Sequence, residues 1–287
     1  MASDRRMSFR LLLACLFAAF APPVFAEKAA NTPWIIATYA YPGRDRIVAI
    51  QPLADYLAKR GRHPVQVRLF SSPTALVEAM RNGQADVVVP NLHAYLQARR
   101  DVAHMTTLPV PQVPAVQADR YRAVLVARGV ESFADMKARA GQLRLVLVGR
   151  DSASGGFVPS RYLRSQGLDP GTAFASVAYA GSHASALQAV VEGHADVAAL
   201  AGDVYSATPA ADVTELWRSD PIPPGPLLCR AAVGVPCQSF AMWLLEAHDH
   251  DPAVMAALRV GWPEFGDATM FIPADIGRLS EVVLAQD

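Results

Sequence analysis

Residues 72–89 read SPTALVEAMRNGQADVVV, and residues 182–199 read SHASALQAVVEGHADVAA. Aligned without a gap, Ser72, Ala79, Gly83, Ala85, Asp86 and Val87 coincide with Ser182, Ala189, Gly193, Ala195, Asp196 and Val197. Each copy opens on a serine suited to cap a helix and continues with apolar residues at helical spacing. A glycine able to end that helix follows, and then a short apolar run of strand character. A unit recurring after 110 residues is too widely spaced for a solenoid, whose periods run about 20 to 50 residues. The pattern predicts two similar α/β lobes in one chain, with a ligand cleft between them.

Outside the repeats, the chain ends and the composition narrow the class. Arg5, Arg6 and Arg10 precede or begin the apolar run Leu11 to Phe20, and Ala21-Pro22-Pro23 breaks it. Val24-Phe25-Ala26 then places small residues where a signal peptidase reads. The run is shorter than the roughly 20 apolar residues that span a membrane. Residues 1–26 are therefore expected to be a cleaved export signal, with the protein in the periplasm. A lipoprotein box at Leu12-Leu13-Ala14-Cys15 is the alternative, although it leaves almost no hydrophobic stretch ahead of Cys15. Loss of 1–26 removes three arginines and one aspartate from a chain of 26 basic and 26 acidic residues, leaving a formal charge of −2. That balance argues against nucleic acid or an anionic membrane as partner. The remaining cysteines, Cys229 and Cys237, fit either a disulfide, which an oxidising compartment favours, or two buried free thiols.

Along the chain, Trp34 to Tyr41 reads as a strand and Arg46 to Lys59 as a helix ended by Gly61. Val65, Val67 and Leu69 alternate as a second strand, and a helix follows the first repeat from Leu92 to Arg99. This rhythm predicts a parallel sheet covered by helices. Proline clusters at Pro109, Pro111 and Pro114, and at Pro221, Pro223, Pro224 and Pro226, mark two crossings. The expected organisation is lobe one over 27–118, an inserted lobe two over 119–219, and a return over 220–287. The return carries helices near 236–248, 252–260 and 274–285.

The sharpest local signal runs from Gly149 to Ser160, GRDSASGGFVPS. A strand ends, hydroxyl and glycine residues follow, and a helix starts near Val158-Pro159, where a proline has no helical N–H to lose. First-turn amides lack intrahelical acceptors and carry the positive end of the helix dipole. With Ser152, Ser154 and Gly155 beside them, they suit a tetrahedral oxyanion, or else simply a serine-capped helix start. No Gly-Lys-Ser/Thr follows, so the loop is not a nucleotide-hydrolysing one. His248, Asp249, His250 and Asp251 contain metal-ligating residue types but end a predicted helix before Pro252, and read as its solvated terminus. No metal or cofactor is expected.

The Ser152–Pro159 segment resembles the Ser-Thr-Ser-Gly…Val-Pro motif of the periplasmic phosphate-, phosphite- and phosphonate-binding proteins that serve ABC transporters. Gly181-Ser182-His183 through Ala195-Asp196-Val197 is similar to that family's second motif. Pro52 to Leu57 and Gly83 to Val87 resemble its N-terminal lobe. The resemblance implies a type II periplasmic binding protein fold, two α/β lobes joined by hinge crossings around the cleft. It also implies a monomeric, non-catalytic receptor that hands a small phosphorus oxyanion to an inner-membrane permease. By this resemblance His183 and tyrosines of both lobes contact the anion. The residues expected at the ligand are Ser152, Ser154, Gly155, His183, Tyr41, Asn91, Tyr95 and Tyr205. Ala153 stands where the family usually has threonine. A periplasmic sensor with the same fold is the other reading. A hydrolase using Ser154 and His183 lacks the sequence elbow such chemistry uses.

Overall fold

The computed structural model describes residues 32–275, apart from 119 and 209, together with residue 277. The export signal and most of the helix expected at 274–285 lie outside the described residues. Strand β1, Trp34–Tyr39, is buried at all six positions, as an interior strand of a covered sheet must be. The helix Arg46–Gly61 packs over it. Asp45 caps that helix by accepting the Val48 N–H at 3.0 Å. Then come β2 (Val65–Phe70), the helix Pro73–Arg81, β3 (Val87–Val88), the helix Leu92–Asp101, β4 (Met105–Thr107) and β5 (Val110–Pro111).

Strand β6 (Ala123–Arg128) opens a second sheet, continued by β7 (Arg144–Leu147), β8 (Ser176–Tyr179), β9 (Val197–Ala201) and β10 (Val213–Arg218). The chain returns through β11 (Leu228–Arg230), the helices Cys237–Leu245, Ala247–His250 and Ala253–Gly261, and β12 (Phe271–Ile272). The first sheet has the order β2-β1-β3-β11-β4 and the second β10-β6-β9-β7-β8. Both are mixed, which corrects the expectation of parallel sheets. β1 is parallel to β2 and β3, and β7 to β8 and β9. β11, however, runs antiparallel to β3 and β4, while β6 runs antiparallel to β9 and β10. The antiparallel strands β6 and β11 are those that follow the proline-rich crossings. Each enters its sheet from the hinge end instead of through a helical crossover.

The repeated sequence has a physical explanation in hydrogen bonds that match position by position. Ser72 accepts the Ala75 N–H at 3.1 Å, and Ser182 accepts that of Ser185 at 3.0 Å. Gly83 and Gly193 end their helices at φ 71° and 74°, a region that side chains disfavour. The N–H of Asp86 then bonds the Ile35 carbonyl, and that of Asp196 the Arg144 carbonyl. Each aspartate side chain answers in kind. Asp86 accepts the Ile35 N–H at 2.9 Å and Asp196 the Arg144 N–H at 2.7 Å. The repeat is a helix–strand joint whose aspartate pins the end of the neighbouring strand.

The arginines that balance these aspartates come from different places. Arg230, on β11, pairs with Asp86 at 2.7 Å, while Arg144 pairs with Asp196 at 2.8 Å from the pinned strand itself. Lobe one thus uses the returning segment to neutralise its buried carboxylate. The return is held further by a disulfide between Cys229 on β11 and Cys237 at the next helix start, with Cα atoms 5.7 Å apart. The helices beyond it pack Phe240, Leu244, Val254, Leu258 and Trp262 against Ile36, Ile50, Leu53 and Leu57.

The Asp86 side chain is fully buried, whereas that of Asp196 is 27% exposed. Removing one partner of a buried ion pair costs about 3–5 kcal/mol. Asp86→Ala is expected to lose stability in that range in urea unfolding, and Asp196→Ala clearly less. Equal small losses would show that the aspartate does not pin the strand.

Candidate functional site

Strands of an open α/β sheet present the following helix starts at their carboxyl ends, and ligands bind there. Here two such ends face each other. Lobe one contributes Ser72 and Asn91, the caps of the helices Pro73–Arg81 and Leu92–Asp101. Lobe two contributes Ser152 and the helix His183–Val191. Between them lies a cleft of about 560 Å³, lined by Tyr41, Arg46, Asn91, Ser152, His183 and Glu264 among others.

The loop after β7 is folded by its glycines. The Val148 N–H bonds the Gly155 carbonyl at 2.8 Å, so the chain doubles back on the strand it has just left. A β-carbon on Gly155 would lie 2.3 Å from the Val148 side chain, and one on Gly156 would lie 1.9 Å from the Gly149 oxygen. Residues Ala153–Phe157 form one wide π turn, and the helix Val158–Ser165 begins where the sequence placed it. Ser152 caps the turn by accepting the Gly155 N–H at 3.2 Å, leaving its hydroxyl proton available to another acceptor. Among the described residues, the amides of Ala153 and Ser154 have no backbone acceptor. They are donors at the start of a turn, where the dipole favours negative charge.

His183 stands beside this loop as a neutral donor. Its Nδ1 accepts the Ala201 N–H at 3.1 Å, which places the imidazole proton on Nε2. Burial, with help from the Arg44 charge, lowers its pKa from 6.5 to about 4. At neutral pH the ring therefore offers one N–H and no charge. Tyr41 reaches across from lobe one, its hydroxyl 3.4 Å from the His183 backbone nitrogen. Burial raises the Tyr41 pKa, against the bond from His183, so the phenol keeps its proton.

The lobes also touch through Asp151. Its carboxylate accepts from the Thr74 amide and hydroxyl at 3.4 Å, at the start of the lobe-one helix, and its carbonyl accepts from Asn91 Nδ2 at 2.9 Å. Asn91 meanwhile caps its own helix through Oδ1, bonded to the Ala94 N–H at 2.8 Å. Both ends of its amide are thus engaged in structure.

Of the eight residues expected at the ligand, Tyr41, Asn91, Ser152 and His183 line the cleft. Ser154 lies just beneath it, fully buried, its hydroxyl 3.0 Å from that of Tyr121. Gly155 is buried against Val148 and acts through the shape it allows. Tyr95 and Tyr205 are placed elsewhere. Tyr95 is fully enclosed in the lobe-one core with Leu76, Met80 and Leu92. Tyr205 bonds the Val213 carbonyl at 3.0 Å and packs on lobe two. Each follows its strand closely enough to suggest the cleft, but helical rotation turns Tyr95 into the core and lays Tyr205, half-buried, against lobe two. Arg46, Asp151 and Glu264 line the cleft without having been singled out as ligand residues. A buried charge has no signature in one sequence, though Ser72 was legible as a cap.

The family model described as "ABC transporter, phosphonate, periplasmic substrate-binding protein" matches residues 38–269. The chain belongs to this family, whose members are substrate-binding components of transporters and work in the periplasm. Solved structures agree in fold. A Xanthomonas citri protein, solved with chloride ion and with ATP, is 20% identical over 88% of this chain and 96% of that one, with TM-scores of 0.72 and 0.70. PhnD1 from Prochlorococcus marinus in complex with methylphosphonate is 16% identical over 89% of this chain and 100% of that one, with a TM-score of 0.64. A binding protein component of an ABC phosphonate transporter from Pseudomonas aeruginosa is 21% identical, covering 89% and 88%, also at 0.64. The shared architecture is that of type II periplasmic binding proteins.

Because the pKa of His183 falls from 6.5 to about 4 on folding, the unfolded chain binds more protons between those values. Stability therefore rises with pH across that window and is unaffected by His183 above it. At the acid end the loss amounts to about 3 kcal/mol. His183→Asn, which keeps an acceptor for the Ala201 N–H, should flatten the melting temperature between pH 4 and 6.5. Unchanged acid sensitivity in the variant would contradict the part-buried, neutral imidazole.

Proposed function

We propose that this protein is a periplasmic receptor whose lobes close on a phosphorus oxyanion, a phosphonate, phosphite or phosphate, and deliver it to an ABC permease in the inner membrane. In this reading residues 1–26 are its export signal and it works as a monomer. One observation carries the ligand assignment. Among the described residues the Ala153 amide has no backbone acceptor, and it shares the cleft wall with the Ser152 hydroxyl and the neutral His183 imidazole, with the Ser154 amide just beneath. A tetrahedral oxyanion presents several acceptors in a compact volume, and donors to a charged acceptor form bonds about twice as strong as neutral pairs. The family match and the methylphosphonate complex of the Prochlorococcus protein support phosphorus as the central atom.

Closure follows from the same contacts. Asp151 and Tyr41 reach the opposite lobe only when the two strand ends face each other at this distance. An anion held by lobe two adds a partner for the Tyr41 hydroxyl and favours that arrangement over an open one.

Calorimetric titration with methylphosphonate, phosphite, phosphate and methanesulfonate tests the reading. At least one phosphorus anion should bind, and more tightly than methanesulfonate. Ser152→Ala removes a hydroxyl donor and should weaken that binding about 10- to 150-fold. Gly156→Ala forces the turn open and should abolish it while far-ultraviolet dichroism stays unchanged. Undiminished affinity in both variants would remove the loop from the site.

A further inference from the structure

Arg46 is 4% exposed, although it carries a full charge and stands in the first turn of its helix. Its guanidinium lies 4.1 Å from the ring centre of Tyr39, 4.8 Å from that of Trp262 and 5.3 Å from that of Tyr41. Nε donates to the Gly261 carbonyl at 3.1 Å. Three ring faces and one hydrogen bond therefore fix the orientation of the group. Nη1 is fully enclosed and has no acceptor among the described residues. A buried donor left unpaired is destabilising, and more so when it is charged.

Glu264, in the turn Pro263–Phe265, shares the cleft wall with Arg46. Burial raises its pKa against the opposing pull of the Arg46 charge, and Nη1 remains without an acceptor beside it. Arg46 and Tyr41 both line the cleft, and Tyr41 spans the gap to the anion loop. The Tyr41 ring faces the guanidinium while its hydroxyl lies beside the His183 backbone nitrogen. One tyrosine side chain thus separates the unpaired donor from the proposed oxyanion site. The cleft volume of about 560 Å³ lies in the range that encloses small organic ligands and exceeds what a bare four-oxygen anion fills.

We propose that Arg46 is a second anchor in the cleft, donating Nη1 to a carboxylate at the far end of a ligand whose phosphonate sits at the Ser152 loop. The favoured ligand class is then a short phosphonocarboxylate. A guanidinium suits that role because it stays charged at any physiological pH, is weakly hydrated, and matches carboxylate geometry. Tyr41, whose ring closes over the guanidinium, turns aside as the ligand enters, and the carboxylate then supplies the acceptor that the enclosed Nη1 lacks. The proposal rests on the oxyanion reading of the same cleft.

The test is calorimetry at pH 7.5 on the exported protein with ethylphosphonate, phosphonoacetate and phosphonoacetamide. The first two differ mainly in a methyl against a carboxylate, and the third keeps the carbonyl but not the charge. Phosphonoacetate should bind at least about tenfold tighter than ethylphosphonate, as one charge-assisted hydrogen bond provides. Phosphonoacetamide should fall between them. In Arg46→Met the phosphonoacetate-to-ethylphosphonate ratio should collapse to within about threefold of one. Equal affinities in the parent overturn the anchor, and that comparison does not depend on how the variant folds. A preference that survives in full in Arg46→Met overturns it as well. Ethylphosphonate binding without any gain for phosphonoacetate defeats the anchor alone. If no phosphonate and no phosphate binds, the oxyanion reading fails and the anchor falls with it.

Discussion

Where residues 148–156 double back on β7, the backbone of Gly156 passes so close to the Gly149 carbonyl that no β-carbon fits between them. This approach allows the Val148 N–H to reach the Gly155 carbonyl, and it opens the next turn into a π turn. The wide turn leaves the amides of Ala153 and Ser154 without backbone acceptors and sets Ser152 at its mouth. The same fold carries Asp151 to the first turn of the lobe-one helix Pro73–Arg81. The proposed anion donors and the lobe contact therefore depend on a single backbone crossing that two glycines permit.

Selectivity in such a cleft depends on groups that donate without titrating. His183 is held neutral by burial, with its proton directed to Nε2 by the Ala201 amide. Tyr41 and Tyr121 keep their phenolic protons for the same reason. Donors of this kind lose no strength when the pH of an exposed compartment drifts around neutrality. Arg46 adds the fixed charge that they lack, from the other lobe.

The repeat was legible because a helix–strand joint needs the same parts each time. Ser72 and Ser182 cap, Gly83 and Gly193 turn, and Asp86 and Asp196 pin a neighbouring strand. The serine–glycine loop was legible as an anion site or a capped helix start, and His183 only through the family resemblance, since a lone imidazole has many other uses. What stayed hidden depends on contacts distant in sequence. The antiparallel entry of β6 and β11 is set by hinge geometry, and the cage around Arg46 joins residues 39, 41 and 262. Tyr95 and Tyr205 misled for the opposite reason. Their distance from a strand end is right, but Tyr95 faces the lobe-one core and Tyr205 packs half-buried on lobe two.

The central claim is that the amides of Ala153 and Ser154 and the Nε2–H of His183 hold the anion together. Nuclear magnetic resonance of the ¹⁵N-labelled protein during titration with methylphosphonate addresses all three at once. The account predicts that these three N–H protons move downfield and saturate with the binding curve, as donors to an oxyanion do. Saturable binding that shifts other resonances and leaves these three in place would contradict it.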